Sequence, residues 1–586
     1  MRLGAINGAW LRRAAGMLLA AWLTSGAATA HAAQKHDVVI RGGTIYDGGG
    51  GPPYAGEVAI DGDRISYVGK PRGLRGRTEI DARGKAVAPG FINMLSWSNE
   101  SLIQDGLGQS ELRQGVTLQV MGEGWSMGPL NERMRELAVR RQVDVRYPVE
   151  WRTLGEYLSK LEARGIAQNV ASFVGATTVR EYVLGEKDVQ PTPAQLDEMR
   201  GLVREAMQEG ALGVGSSLIY APSIYAKTPE LVALVTEAGR CGGMYITHMR
   251  SEGNRLVESV QETIDIARAS GAPAEIYHLK MAGRENWDKL DRVVAMIEEA
   301  RRSGVRITAD MYTYIGGATG LNAAMPPWVQ DGGLEAWIER LKDPAIRARV
   351  IAEMRDPHAG WENLLGHAGP DQTLLLSFKN PKLKPLTGRT LASVAKERGV
   401  SPEDAAIDLV IEDGSRVGTA YMLMSEDNVR RQVALPWMSF GSDAEAMAPE
   451  GVFLLSNPHP RAYGNFSRVL ARYVRDEGVI TLEEAVRRLS ALPAQNLSLA
   501  ERGRLLKGHY ADVVVFDPKA IQDHATFEKP HQYSTGVSEV LVNGQLALRS
   551  GVPTGAKPGR VVRGRAYAGR PGGGCRASNR DWTWAW

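Results

Sequence analysis

At 586 residues the chain can bury a large core but is too long for one compact layer, so a main domain with a smaller companion is expected. Its 70 Lys and Arg nearly balance 67 Asp and Glu, which argues against a nucleic-acid partner and points to no acidic one. The two cysteines, Cys241 and Cys575, stand far apart without ligand spacing; neither a disulfide framework nor a cysteine-built zinc site is expected, and any metal must rest on His, Asp and Glu.

Residues 1–33 read as an export signal. Arg12 and Arg13 precede an apolar stretch through Met17, Leu18, Leu19 and Leu23, and Ala28-Thr29-Ala30 forms a small-residue cleavage site. The predicted mature chain starts between His31 and Gln34 and is exported, to the periplasm or its equivalent. The apolar run is well short of the ~20 residues of a spanning helix, so no membrane anchor is expected after cleavage.

Asp37 to Ile40, Glu57 to Ile60 and Ile65 to Val68 are short strand-like runs divided by glycine-rich turns such as Gly48 to Gly51. Ala511 to Phe516 and Val537 to Val542 repeat this texture near the other end. Segments 34–86 and 500–565 are therefore expected to pair into one small β-sandwich domain, with 87–499 as an insertion between its halves. That middle alternates. Thr192, Pro193 and Gln195 form a capping box that opens a helix to about Gln208, and the strand Leu212 to Gly215 follows. A helix opening at Thr228-Pro229-Glu230, the strand Met244 to Thr247, a helical period over Leu256 to Ala269 and the strand Ala274 to Leu279 come next. A helix over Asp288 to Arg302 and the strand Val305 to Ala309 extend the run. Such alternation predicts an α/β fold, a (β/α)8 TIM-like barrel. The regularity breaks over 316–433, which is too long for a loop and is expected to be an inserted helical subdomain that covers the site. The tail, 566–586, resists assignment.

Four apolar runs end in a residue able to bind metal or carry a proton: Val116 to Glu123, Met244 to His248, Glu275 to His278 and Met438 to Asp443. In a parallel barrel such tips converge on one face, so residues distant in sequence can share one ion. His248 and His278 lie one β/α unit apart, and Glu123, between glycines, can supply a third ligand. Asp443 can bind metal or take a proton from a bound water.

The chain resembles the D-aminoacylase (N-acyl-D-amino-acid deacylase) branch of the amidohydrolase superfamily over nearly all its mature length. The matching motifs are Ile40-Arg41-Gly42-Gly43, Pro89-Gly90-Phe91-Ile92, Gly115-Val116-Thr117, Tyr220-Ala221-Pro222 and Thr247-His248. His278-Leu279-Lys280, Tyr312-Thr313-Tyr314, Gly441-Ser442-Asp443, His459-Pro460-Arg461 and Ala511-Asp512-Val513-Val514 complete the series. Two departures stand out. Where the family carries a His-x-His pair on the first barrel strand, serving the weaker of two metal positions, this chain has Leu95-Ser96-Trp97. Where the family has a bridging cysteine, it has Glu123.

The resemblance implies a single Zn2+, or another divalent ion, held by Glu123, His248 and His278, with Asp443 beside it as catalytic acid-base. It further implies that Lys280 and Arg461 hold a substrate α-carboxylate, the alternative for Lys280 being a structural ion pair with an acid. Tyr220, Tyr225, Tyr312 and Tyr314 are candidates to line the pocket, or simply pack. The implied activity is hydrolysis of the linear amide of a small N-acyl, D-configured amino acid. The alternatives are a D-residue dipeptidase or cell-wall-fragment amidase using the same site, and a non-catalytic ligand-binding relative.

Overall fold

Eight parallel strand segments build the centre of the molecule: Phe91–Asn93, Val116–Met121, Asn169–Ser172 continuing as Val174–Gly175, Gly213–Ser217, Met244–His248, Ala274–Ile276, Ile307–Met311 and Met438–Phe440. The computed structural model describes residues 35–578, so the export signal expected at residues 1–33 and the end of the tail lie outside the described residues. The strands pair in chain order, and the first meets the last through Met94 N–H donating to Phe440 O at 3.3 Å and a parallel bridge between Ser96 and Ala444, which closes the barrel. Residues such as those of Met244–His248 are buried throughout, as expected of a sheet covered on one face by helices and filled on the other.

The helices follow their local signals. Thr192 and Gln195 form the reciprocal capping box at the start of Pro193–Glu209, and Gly210 ends that helix in the left-handed region. Leu256–Ser270 and Leu290–Arg302 each bury an apolar face against the barrel. The sixth strand ends at Ile276, three residues before the expected Leu279, because His278 takes a positive φ of 32° that no strand can continue.

Residues 316–433 correct the helical expectation. The insertion carries an antiparallel three-stranded sheet of Gly316–Gly320, Gly418–Met422 and Thr373–Ser377, with helices including Leu334–Leu341, Pro344–Met354 and Pro402–Asp413 packed around it. Ala-, Gly- and Thr-rich strands such as GGATG and GTAYM give little apolar alternation, so nothing in the sequence marks them as strands within a segment expected to be helical. The insertion has its own core around Trp337, Phe378, Leu409 and Tyr421.

The two chain ends meet where Val513–Phe516 pairs antiparallel with Ala86–Pro89. The expected sandwich is one continuously bonded nine-stranded sheet that branches along His36–Ile45: this strand pairs with Gly76–Asp81 through its first half and with Ala86–Pro89 through Thr44 and Ile45. The branch lies at a bulge where Gly42 has φ 74° and a Cβ on Gly43 would sit 2.6 Å from Val87 Cγ2, which explains the Arg41-Gly42-Gly43 motif physically.

The tail is not irregular surplus. Residues 559–564, expected in the small β domain, lead into it beneath the N-terminal ends of the barrel strands, with Gly559 N–H on Ile166 O, Val562 N–H on Val170 O and Gly564 N–H on Gly210 O, and within the tail Ala568 N–H meets Gln208 O. Cys575 then forms a disulfide with Cys241 across 334 residues of sequence. This corrects the expectation of unpaired cysteines: a fold that returns the tail to the end of helix Thr228–Arg240 brings together two residues whose spacing carries no signal. No helix among the described residues is long and apolar enough to cross a membrane.

Candidate metal centre

The C-terminal tips of the strands place Glu123, His248 and His278 at one point. Glu123 Oε1 lies 3.1 Å from His248 Nδ1 and 3.1 Å from His278 Nε2. One ligand atom from each of the three residues lies within 4.8 Å of the others, and all three side chains are buried. Glycine makes the first of these placements possible. Gly122 has φ 105°, and a Cβ there would stand 2.4 Å from Phe173 O, so only glycine lets the second strand turn Glu123 into the mouth.

His278 and Asp443 are both held at positive φ, 32° and 48°. Non-glycine residues keep such conformations only when their surroundings impose them. Here Asp310 Oδ1 accepts from His278 N–H at 2.9 Å, and Leu95 O accepts from Asp443 N–H at 2.8 Å. Asn93 Oδ1 accepts from Ser442 N–H, while Glu111 accepts from both Asn93 and Ser442. This places Asp443 Oδ2 4.0 Å from His278 Nε2 and 2.9 Å from Arg461 Nη2.

The charges are arranged in two layers. Burial by itself would raise the Glu123 carboxyl, but His278 and the hydrogen bonds from both imidazoles outweigh it and hold Glu123 well below the usual carboxylate range. Behind the rings lies Glu252, fully enclosed, 3.0 Å from His278 Nδ1 and 3.6 Å from His248 Nε2. Burial is again overcome, here by His248, Lys280 and His278, so Glu252 too stays ionised. Asp443 differs: burial, opposed by Arg461 and reinforced by Glu123, pushes its carboxyl up. A raised carboxyl beside a buried donor cluster is suited to exchanging protons.

Two imidazoles and one carboxylate, all buried, form a nitrogen and oxygen donor set that suits zinc or a similar divalent ion. The two nitrogens an ion would take, His248 Nδ1 and His278 Nε2, both face the same oxygen, Glu123 Oε1, at 3.1 Å. The second layer has the form expected behind metal-binding histidines, whose far nitrogens meet a carboxylate that fixes the rings.

A model of the amidohydrolase family matches residues 78–547. D-aminoacylase of Alcaligenes xylosoxydans xylosoxydans is 32% identical over 90% of this chain and 98% of its own length. The chain belongs to the amidohydrolase family. Solved structures agree. A D-aminoacylase described by its binuclear metal centre, with one-metal activation and second-metal attenuation, superposes with a TM-score of 0.75 at 32% identity, covering 90% of this chain and 99% of that one. N-acyl-D-glutamate deacylase of Bordetella bronchiseptica, complexed with zinc and a phosphonate mimic of the tetrahedral intermediate, gives 0.74 at 30% identity, covering 90% and 100%.

Within this amidohydrolase the residues singled out from sequence fall into three groups. Glu123, His248, His278, Asp443 and Arg461 converge. Tyr312 and Tyr220 flank them: the Tyr312 ring lies 4.3 Å beneath the Arg461 guanidinium with its hydroxyl buried and without a partner among the described residues, and the Tyr220 ring lies 5.4 Å from His248. Lys280, Tyr225 and Tyr314 are placed otherwise. Lys280 Nζ spends its bonds on both Glu252 oxygens, at 2.7 and 2.8 Å, and on His278 Nδ1 at 2.6 Å, so it is a buried ion pair supporting the ligand histidine. Tyr225 donates to Pro327 O at 2.7 Å and ties the barrel to the insertion. Tyr314 stands one layer back, 5.5 Å from the His459 ring.

Sequence reasoning missed Glu252, and it named Trp97 only as a departure from the family and His459 only within a motif, without giving either a role at the site. Glu252 lies four residues after His248 in a loop without periodicity, so no pattern marks it. His459 accepts from Arg461 N–H at Nδ1 and donates from Nε2 to Gly316 O, which orients the loop carrying the guanidinium.

Proposed function

We propose that this amidohydrolase cleaves the linear amide of an N-acyl amino acid of D configuration, using one zinc ion held by Glu123, His248 and His278. The observation that carries this is the joint placement of the three donors, the Asp443 carboxyl 4.0 Å from His278 Nε2, and a guanidinium with spare donors. A divalent ion at this point supplies Lewis acidity that polarises the amide carbonyl and eases deprotonation of a water. Asp443 is placed to accept that water's proton and return it to the departing nitrogen, since an amide nitrogen leaves only when protonated. Arg461 gives one nitrogen to Asp443, while its Nε and Nη1 are buried without partners among the described residues. An unpaired buried guanidinium edge is costly, and a substrate carboxylate satisfies it with charge-assisted bonds. Tyr312 beneath the guanidinium and Tyr220 beside His248 form the walls. Activity in the relatives towards N-acyl-D-amino acids supports the substrate class and the hand.

Export is part of the same proposal. A disulfide between Cys241 and Cys575 suits an oxidising compartment, in keeping with the charge, apolar run and small-residue order of residues 1–33. The test is metal analysis of the purified protein together with turnover of paired D and L N-acetyl amino acids. One zinc per chain with preference for the D series is expected; protein that binds no metal and turns over neither series would refute the hydrolase assignment.

A further inference from the structure

The first barrel strand ends in Leu95-Ser96-Trp97, and neither Leu95 nor Trp97 can ligate a metal: one side chain is aliphatic and fully buried, the other offers only an N–H donor. Trp97 nevertheless points into the centre. Its Nε1 lies 3.0 Å from Glu123 Oε2 and 3.0 Å from Asp443 Oδ1. The four oxygens of these two carboxylates are thereby shared out. Glu123 Oε1 faces the two imidazoles, Asp443 Oδ2 faces Arg461, and the two remaining oxygens turn towards the same indole N–H. Backbone bonds on both edges hold the strand that delivers it, with Ser96 N–H on Val120 O and Trp97 N–H on Ala444 O at 3.0 Å.

Two carboxylates facing each other in a buried site repel unless something positive lies between them. A bridging cation is one solution, and the N–H end of an indole, carrying a partial positive charge, is another. We propose that the Trp97 indole N–H takes the place of a second cation between Glu123 and Asp443, so that the centre is closed to a second ion and Asp443 is oriented for proton transfer. Trp97 is thus a positioning residue. It acts through the two carboxylates rather than on the substrate. The inference rests on the hydrolase assignment above and adds that the tryptophan is a functional replacement for a ligand rather than the trace of a decayed site.

The test measures metal content and kinetics together in the full chain. Wild type equilibrated with excess zinc and then gel-filtered should carry one ion per chain, while Leu95→His/Trp97→His should carry two. Trp97→Phe keeps a flat aromatic ring but removes the donor. It should retain one ion and the wild-type circular dichroism, lower kcat about 10-fold as a lost charge-assisted hydrogen bond would, and change KM less than kcat. A general packing defect would instead lower thermal stability and metal content together. Two ions on wild type, or an unchanged kcat in a folded, singly loaded Trp97→Phe, would overturn the inference while leaving the hydrolase assignment intact. Wild type without metal and without turnover would remove that assignment itself.

Discussion

Glu252→Gln isolates the second layer of the site. The substitution keeps shape and one acceptor oxygen but removes the charge that faces Lys280 Nζ at 2.7 Å and the far nitrogens of His278 and His248 at 3.0 and 3.6 Å. Two effects should follow, and they can be separated. Carboxylates behind ligand histidines typically contribute about 10 to 100-fold in metal affinity, so competition against a chromophoric chelator should show zinc binding weakened on that scale. The ammonium of Lys280 would also be left in a buried position without its counter-charge, which costs about 3–5 kcal/mol in folding stability, read by urea unfolding of the metal-free protein. Glu252→Gln/Lys280→Met removes the orphaned charge, so it should recover most of the stability while zinc affinity stays low. The pH dependence has a definite sign. The folded Glu252 carboxyl is held below its ordinary value of 4.5, so its stabilisation is complete above that pH and fades as pH falls through the folded value; the variant should lack this acid-side loss. Zinc affinity within two-fold of wild type in folded Glu252→Gln would refute an orienting role for Glu252.

Asp443→Asn keeps the size of the side chain and removes the base; kcat should fall by roughly 10²-fold or more with zinc content retained, and near-normal turnover would take Asp443 out of the mechanism. Arg461→Lys replaces a planar fork by a point charge and should weaken free-carboxylate substrates by about 2 kcal/mol while hardly affecting the same substrates amidated, and equal losses for both would assign the arginine to the fold. Cys575→Ser should cost about 2–5 kcal/mol of stability by releasing the tail from Cys241, with kcat at low temperature unchanged because the tie lies at the opposite end of the barrel; unaltered thermal unfolding would show that the disulfide is dispensable. Burial pushes the Glu111 carboxyl up to about 7, so its ionisation opposes folding increasingly as pH rises from about 4.5 to 7. Glu111→Gln should flatten the stability loss in that window by up to ~3 kcal/mol, and parallel profiles for the two proteins would contradict it.

The barrel was legible because its signals are local and repeated. The capping box at Thr192 and Gln195, the helical period over Leu256–Ser270 and the buried run of Met244–His248 each announce themselves within a short window. The sheet of the insertion was not, since its strands draw on glycine, alanine and threonine and acquire their burial only by pairing with partners up to a hundred residues away. The disulfide belongs to the same class. Its two half-cystines meet only because the chain from Gly559 onwards passes beneath the barrel strands before reaching Cys241, a path that no pairwise spacing encodes.

At the site, residue type and position along a strand were enough to single out three residues that the fold brings together, and insufficient to say which way the cations turn. Lys280 follows His278 by two residues, which in a continuing strand would put both side chains on the same side. It does not determine whether the ammonium meets a substrate or an acid from another segment. The deciding residue was Glu252, which arrives from the loop after the neighbouring strand and satisfies Lys280 completely. Arg461 presents the opposite case. It meets one carboxylate oxygen and keeps two buried nitrogens unpartnered among the described residues, so it is the cation with bonds left to make. What already surrounds the two positive residues separates them: Lys280 meets the carboxylate behind the histidines, and Arg461 is the one that the proposed function assigns to a substrate anion. Trp97 follows the same logic from the negative side, because its N–H lies between the two carboxylate oxygens that neither a histidine nor an arginine reaches.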